Sequence, residues 1–126
     1  MQTSTDERSG LSMSEDDLVN VVRDFSNAYV NQDVEKTLAF LTEDVTWVAP
    51  EGTFEGKDEV RRLLTWIPHS FWWRKLKFTE AGLGILVKEN KAVYEYVIEE
   101  IGETGVRYQV AAVSIFEFGG EKIQKH

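Results

Sequence analysis

The 126-residue chain contains no cysteine, which excludes a disulfide scaffold, a thiolate metal site and a cysteine nucleophile, and nothing in it calls for an oxidising compartment. Histidine is nearly absent too: only His69 and His126 occur, and no cluster of histidines or carboxylates has metal-ligand spacing, so neither a metal nor a cofactor is expected. Positive charge is scarce. Fourteen Lys and Arg against 22 Asp and Glu leave a net charge of −8, so most of the surface repels phosphate, and neither nucleic acid nor a membrane is an expected partner. No apolar run reaches the roughly 20 residues of a membrane-spanning helix. The first residues, Met1 to Glu7, lack the basic-then-apolar pattern of a signal peptide. Together these absences leave a cytoplasmic location as the expectation.

What is present fits one packed domain: 42% of residues are hydrophobic, and half the chain would be too short to hold a core unaided. Residues 1–13 are polar, Ser/Thr-rich and aperiodic, which predicts a disordered leader, with Met13 as an alternative start, ahead of a domain over 14–126. Ser14-Glu15-Asp16-Asp17 reads as a helix N-cap with acids in the first turn. Leu18, Val22, Phe25 and Tyr29 then recur at helical spacing up to Asn31-Gln32. Asp33 caps a shorter helix carrying Val34, Leu38 and Leu41 on one face, stopped by Thr42-Glu43-Asp44. Val45–Ala49 is β-branched and aromatic and predicts a strand; Pro50–Gly56 predicts a tight loop burying Phe54. A third helix is predicted from Lys57 to Ile67. Beyond Ser70 the period is two, with strands predicted over 72–80, 84–101 (broken by a turn at Glu89-Asn90-Lys91), 106–118 and from Lys122. The last of these is short for a full strand, which suggests a longer natural C-terminus. Helices followed by an antiparallel meander make an α+β domain.

The order of elements, with Asp44-Val45-Thr46-Trp47, then Gly52-Thr53-Phe54-Glu55-Gly56-Lys57-Asp58-Glu59-Val60, then Phe116-Glu117-Phe118-Gly119-Gly120-Glu121-Lys122-Ile123, resembles the SnoaL-like branch of the NTF2-like superfamily. The resemblance covers nearly everything after residue 14 and implies a cone: three N-terminal helices packed in a strongly curved antiparallel sheet around an apolar cavity, in a homodimer. Relatives include ketosteroid isomerase, polyketide cyclases, limonene epoxide hydrolase, scytalone dehydratase and proteins without activity, so the fold does not decide the function. The isomerase uses a tyrosine, a protonated aspartic acid and a basic aspartate. The matching positions here are Phe25, Ser114 and Ala49, none of which can replace its counterpart. The Asp-Arg-Asp arrangement of the epoxide hydrolase is missing, because no Asp follows Asp58, and a histidine-pair dehydratase needs more imidazoles than this chain has.

Alternation places Tyr108, Val110, Ala112, Ser114, Phe116 and Phe118 on one face of the 106–118 strand, assigned inward, with Ala112 and Ser114 leaving room for a ligand. Phe25, Tyr29, Trp47, Phe54, Trp66, Tyr94 and Tyr96 complete the expected lining; the plainer reading is that these aromatics fill the core. Glu100 shares the face of Tyr94 and Tyr96 and is the candidate inward carboxylate, against its reading as a solvated acid near a hairpin end. His69 is a candidate general base at the cavity mouth, and Tyr29 or Tyr94 a phenol that polarises a carbonyl. Residues 61–78 run against the overall charge, carrying Arg61, Arg62, Arg74, Lys75 and Lys77 with no acid, among Trp66, Phe71, Trp72, Trp73 and Phe78. Such interleaving serves single-stranded nucleic acid or an anionic membrane, but a solvated helix face and a guarded strand edge explain it as well. Trp72 and Trp73 then mark a dimer interface. The expectation is a SnoaL-like protein binding a small, largely apolar molecule, and, if catalytic, a cofactor-free isomerase, cyclase or dehydratase. The alternative is a non-catalytic module for ligand binding or protein association.

Overall fold

Ser14 caps the first helix, α1 (Glu15–Val30), by accepting from the Asp17 backbone N–H at 3.1 Å, while Asp17 Oδ2 accepts from the Ser14 N–H at 3.3 Å. This reciprocal cap fixes where the helix begins. Its stripe of Leu18, Val22, Phe25 and Ala28 is buried. Asp33 caps α2 (Val34–Ala39) through the Lys36 N–H, and α3 (Gly56–Trp66) buries Val60, Leu63 and Leu64. These positions follow from the sequence periodicity. The computed structural model describes residues 14–66, 76–101, 105 and 107–126. The expected leader, His69, Phe71, Trp72, Trp73, Arg74 and Lys75 lie outside these residues.

Six strands, β1 (Leu41–Ala49), β2 (Gly52–Glu55), β3 (Leu76–Lys88), β4 (Lys91–Ile101), β5 (Arg107–Gly119) and β6 (Lys122–Lys125), form one sheet in the order β2-β1-β6-β5-β4-β3. Three expectations need correction. Thr42, Glu43 and Asp44 belong to β1 rather than merely ending the second helix, because Leu41 already pairs with Ile123 of β6 and Ile123 donates to the Phe40 carbonyl at 2.8 Å. The Pro50–Gly56 loop is partly strand: Pro50-Glu51 makes a two-residue turn, and Trp47 faces Phe54 across the β1–β2 pair. The segments 76–80 and 84–88 are one strand bent by a bulge, in which Glu80 pairs with Tyr96 and the next pair is Ile85 with Tyr94. Gly82 (φ +58°) and Gly84 (φ +70°) supply the left-handed backbone this bulge requires. The turn at Glu89-Asn90 lies where the sequence predicts it. All pairings are antiparallel except β1 with β6, which is parallel, with β2, α3 and the β3–β5 meander between them in the chain.

The core lies between the helices and the inner face of the sheet, where Val22, Phe25, Leu41, Val45, Trp47, Val60, Phe116 and Ile123 are sealed from solvent. Burying each contributes about 1.5–3 kcal/mol before entropy is counted. β6 spans four residues and pairs only Glu117, Phe118 and Gly119 of β5, whereas β4 pairs β5 from Arg107 to Glu117. From Gln109 to Ile115, β5 therefore has a strand on one edge only among the described residues, and the sheet parts there. No described helix is long and apolar enough to cross a membrane. At the surface, Arg61 pairs with Glu35, and Arg23 ties α1 to β3 through Glu80 at 3.0 Å.

Candidate functional site

Where the sheet parts, aromatic side chains from five elements face one another. Phe25 on α1 is the hub: its ring lies 5.8 Å from Trp47 on β1, 5.7 Å from Phe116 on β5 and 6.3 Å from Tyr29, one helical turn on. Tyr29 in turn meets Trp47 at 5.7 Å and Phe78 on β3 at 6.3 Å, and Phe78 stacks on Tyr96 of β4 at 5.4 Å. Large rings on α1, β1, β3 and β4 face small Ala112 and Ser114 on β5, and this mismatch leaves a space of about 670 Å³. Its wall includes Tyr29, Trp47, Phe78, Tyr96, Ala112, Ser114 and His126. Pro50, Glu51, Glu117 and Lys125 form its rim, and Val48, Val113 and Ile115 flank the opening between β1 and β5. A second, deeper space of about 20 Å³ is lined by Phe25, Tyr94 and Phe116 and shares Tyr29, Phe78, Tyr96, Ser114 and His126 with the first.

The polar groups of the wall are few. Tyr96 Oη and Ser114 Oγ bond each other at 2.9 Å. Burial pushes the Tyr29 phenol well above its usual range, and burial, reinforced by Glu80, pushes Tyr94 up as well. Burial lowers the His126 imidazole to about 4, so it too is neutral at pH 7. Its ring centre lies 4.3 Å from that of Trp47, 4.8 Å from Phe116 and 5.3 Å from Phe25. Part of the ring remains open to the larger space, but Nδ1 is sealed and has no hydrogen-bond partner among the described residues. Formal charge stays at the rim, on Glu51, Glu117 and Lys125. No group of three or more His, Asp or Glu suited to a metal ion occurs among the described residues.

Of the residues singled out from sequence, Tyr29, Trp47, Tyr96, Ala112 and Ser114 line the larger space, while Phe25, Tyr94 and Phe116 are core residues that line only the smaller one. Three do neither. Val110, expected inward, is 57% exposed, because no strand among the described residues pairs the other edge of β5 there. Trp66, at the last turn of α3, is 56% exposed, and Phe54 on β2 packs against the core opposite Trp47. Glu100 lies on β4 opposite Leu76 and Tyr108, a register position towards the far end of the sheet. His69 lies outside the described residues. Phe78, Ile98 and above all His126 were not anticipated as lining. Alternation from buried Ile123 turns Lys125 inward and His126 outward. A bulge reverses this: Phe118 pairs with Ile123 but Glu117 pairs with Lys125, leaving Gln124 as the extra residue and bringing His126 to the inner face.

Three helices packed on a curved six-stranded sheet define an NTF2-like cone. The family model of the SnoaL-like domain matches residues 22–126, and the chain belongs to that family. Solved structures agree in fold. An NTF2-like protein of unknown function from Burkholderia pseudomallei superimposes with a TM-score of 0.74 at 20% identity, over 90% of this chain and 88% of that one. A ketosteroid isomerase-like fold protein from Catenulispora acidiphila, in complex with trimethylamine, gives 0.68 at 14% identity over 83% and 80%. An LEH-like epoxide hydrolase of M. tuberculosis gives 0.66 at 19% identity over 87% and 79%. At these identities the likeness is one of fold alone. A search of curated proteins found no match.

Proposed function

We propose that this protein binds a small, largely apolar and uncharged molecule in the cavity between β1, β5 and α1. The observation that carries this reading is the aromatic-walled space of about 670 Å³, whose wall adds the Tyr96–Ser114 hydroxyl pair and an imidazole held neutral at pH 7 by burial. Such a wall gives apolar contact to most of a ligand and a few hydrogen bonds to orient it. Acid–base isomerisation, cyclisation or dehydration, the activities the family resemblance suggests, would fall to His126, and an imidazole held near 4 is a weak base. Binding without turnover is therefore the reading the site supports better. The test is equilibrium dialysis with 2-naphthol: saturable binding is expected, and Ala112→Phe, which fills the cavity floor, should abolish it. Binding that survives Ala112→Phe unchanged would place the ligand elsewhere.

One observation favours self-association beside ligand binding. Leu86, Val93 and Ile115 form a row across β3, β4 and β5, and Leu86, Val113 and Ile115 are at least half exposed. A second copy covering this outer face would bury apolar surface that a monomer leaves wet. Sedimentation as a monomer at micromolar concentration would remove this reading.

A further inference from the structure

We infer that His126 is the residue by which the cavity selects its ligand, holding one hydroxyl or carbonyl group of an otherwise apolar, uncharged molecule; the inference rests on the cavity being a ligand site. The imidazole is fixed rather than pendant. Its backbone N–H donates to the Thr46 carbonyl at 2.9 Å and its carbonyl accepts from Val48 N–H at 2.7 Å, so β1 holds it on both sides. Phe25, Trp47 and Phe116 enclose the ring, and the bulge at Gln124 turns it inward. A bulge that brings a polar ring into an aromatic nest, with Nδ1 sealed and unpartnered, leaves an unmet hydrogen bond, which native interiors rarely tolerate unless something else satisfies it.

The neighbouring polar atoms do not meet that need, since Tyr96 Oη and Ser114 Oγ are bonded to each other. The adjoining 20 Å³ space, which His126 also lines, is large enough for one water that links the imidazole to a ligand in the larger cavity. An anion is disfavoured, because Glu51 and Glu117 outnumber Lys125 at the rim, and the aromatic wall offers a charged group no counter-ion deeper in.

The test compares 2-naphthol with 2-methylnaphthalene, which has nearly the same shape but no hydroxyl, by equilibrium dialysis against the unaltered protein and His126→Phe. Satisfying a buried unpartnered group predicts a preference for 2-naphthol of about ten-fold in the unaltered protein. In His126→Phe the preference should vanish. A preference that persists in the variant, or equal binding of both compounds by the unaltered protein, overturns the assignment while leaving the cavity a ligand site. Binding of neither compound overturns the proposed function as well. A second measurement needs no variant: in protein carrying 15N-labelled histidine, 2-naphthol should shift the His126 Nδ1 resonance and 2-methylnaphthalene should not. A resonance unmoved by bound 2-naphthol refutes the proposal.

Discussion

Burying an imidazole among three aromatic rings makes stability depend on pH at one identifiable residue. In the folded protein His126 is held at about 4, against 6.5 in the unfolded chain, because desolvation penalises its charged form. Between those values the unfolded chain binds a proton that the folded chain refuses, so protonation favours unfolding. Its contribution is therefore complete above about pH 7 and is lost as pH falls towards 4. A displacement from 6.5 to about 4, at 1.36 kcal/mol per unit, corresponds to roughly 3 kcal/mol, less whatever water entering the cavity recovers. Replacing His126 by Phe keeps a ring in the nest and removes both the titration and the unpartnered Nδ1. Urea unfolding of the two proteins between pH 7 and pH 4 isolates the effect, since the carboxylates titrate alike in both and cancel in the difference. At pH 7 the variant should be as stable as the unaltered chain or slightly more so; towards pH 4 its advantage should grow by about 2–3 kcal/mol. Parallel stability curves across that range would refute the buried, neutral imidazole.

Two further substitutions test the packing that shapes the cavity. Gly82→Ala should destabilise by about 1–2 kcal/mol from its left-handed backbone alone. It should cost more than Gly120→Ala, because a Cβ at Gly82 would stand 2.7 Å from Glu95 Oε1 whereas Gly120 has nothing within 4 Å; equal urea midpoints would remove the argument. Phe25→Ala deletes the ring that touches Tyr29, Phe40, Trp47, Phe116 and His126, and should cost about 3–5 kcal/mol; a loss below about 1 kcal/mol would mean the aromatic cluster is not a packed unit.

The helices were legible because their information is local. A hydroxyl three residues ahead of an acid marked the cap at Ser14, and apolar residues at helical spacing marked the buried stripes of α1 and α3. Alternation likewise assigned the faces of β5 correctly from Ala112 to Phe118, and so supplied the small residues at the cavity floor. The same rule does not tell burial at Val110, which is 57% exposed where β5 has a strand on one edge only among the described residues. Helical spacing misled at Leu41, and stop and turn residues at Thr42–Asp44 and Gly52–Glu55, whose strand character comes from partners distant in sequence or across a turn.

Sequence by itself determined the helix caps, most element types and the main core residues, since each depends on a residue's own chemistry or on neighbours within a few positions. Tertiary structure decided the site. The gap between β1 and β5 exists because of how few residues β6 pairs with β5, and His126 enters the cavity because one extra residue, Gln124, reverses the alternation of β6. A bulge is a property of two paired strands in register, and no periodicity within one strand can reveal it.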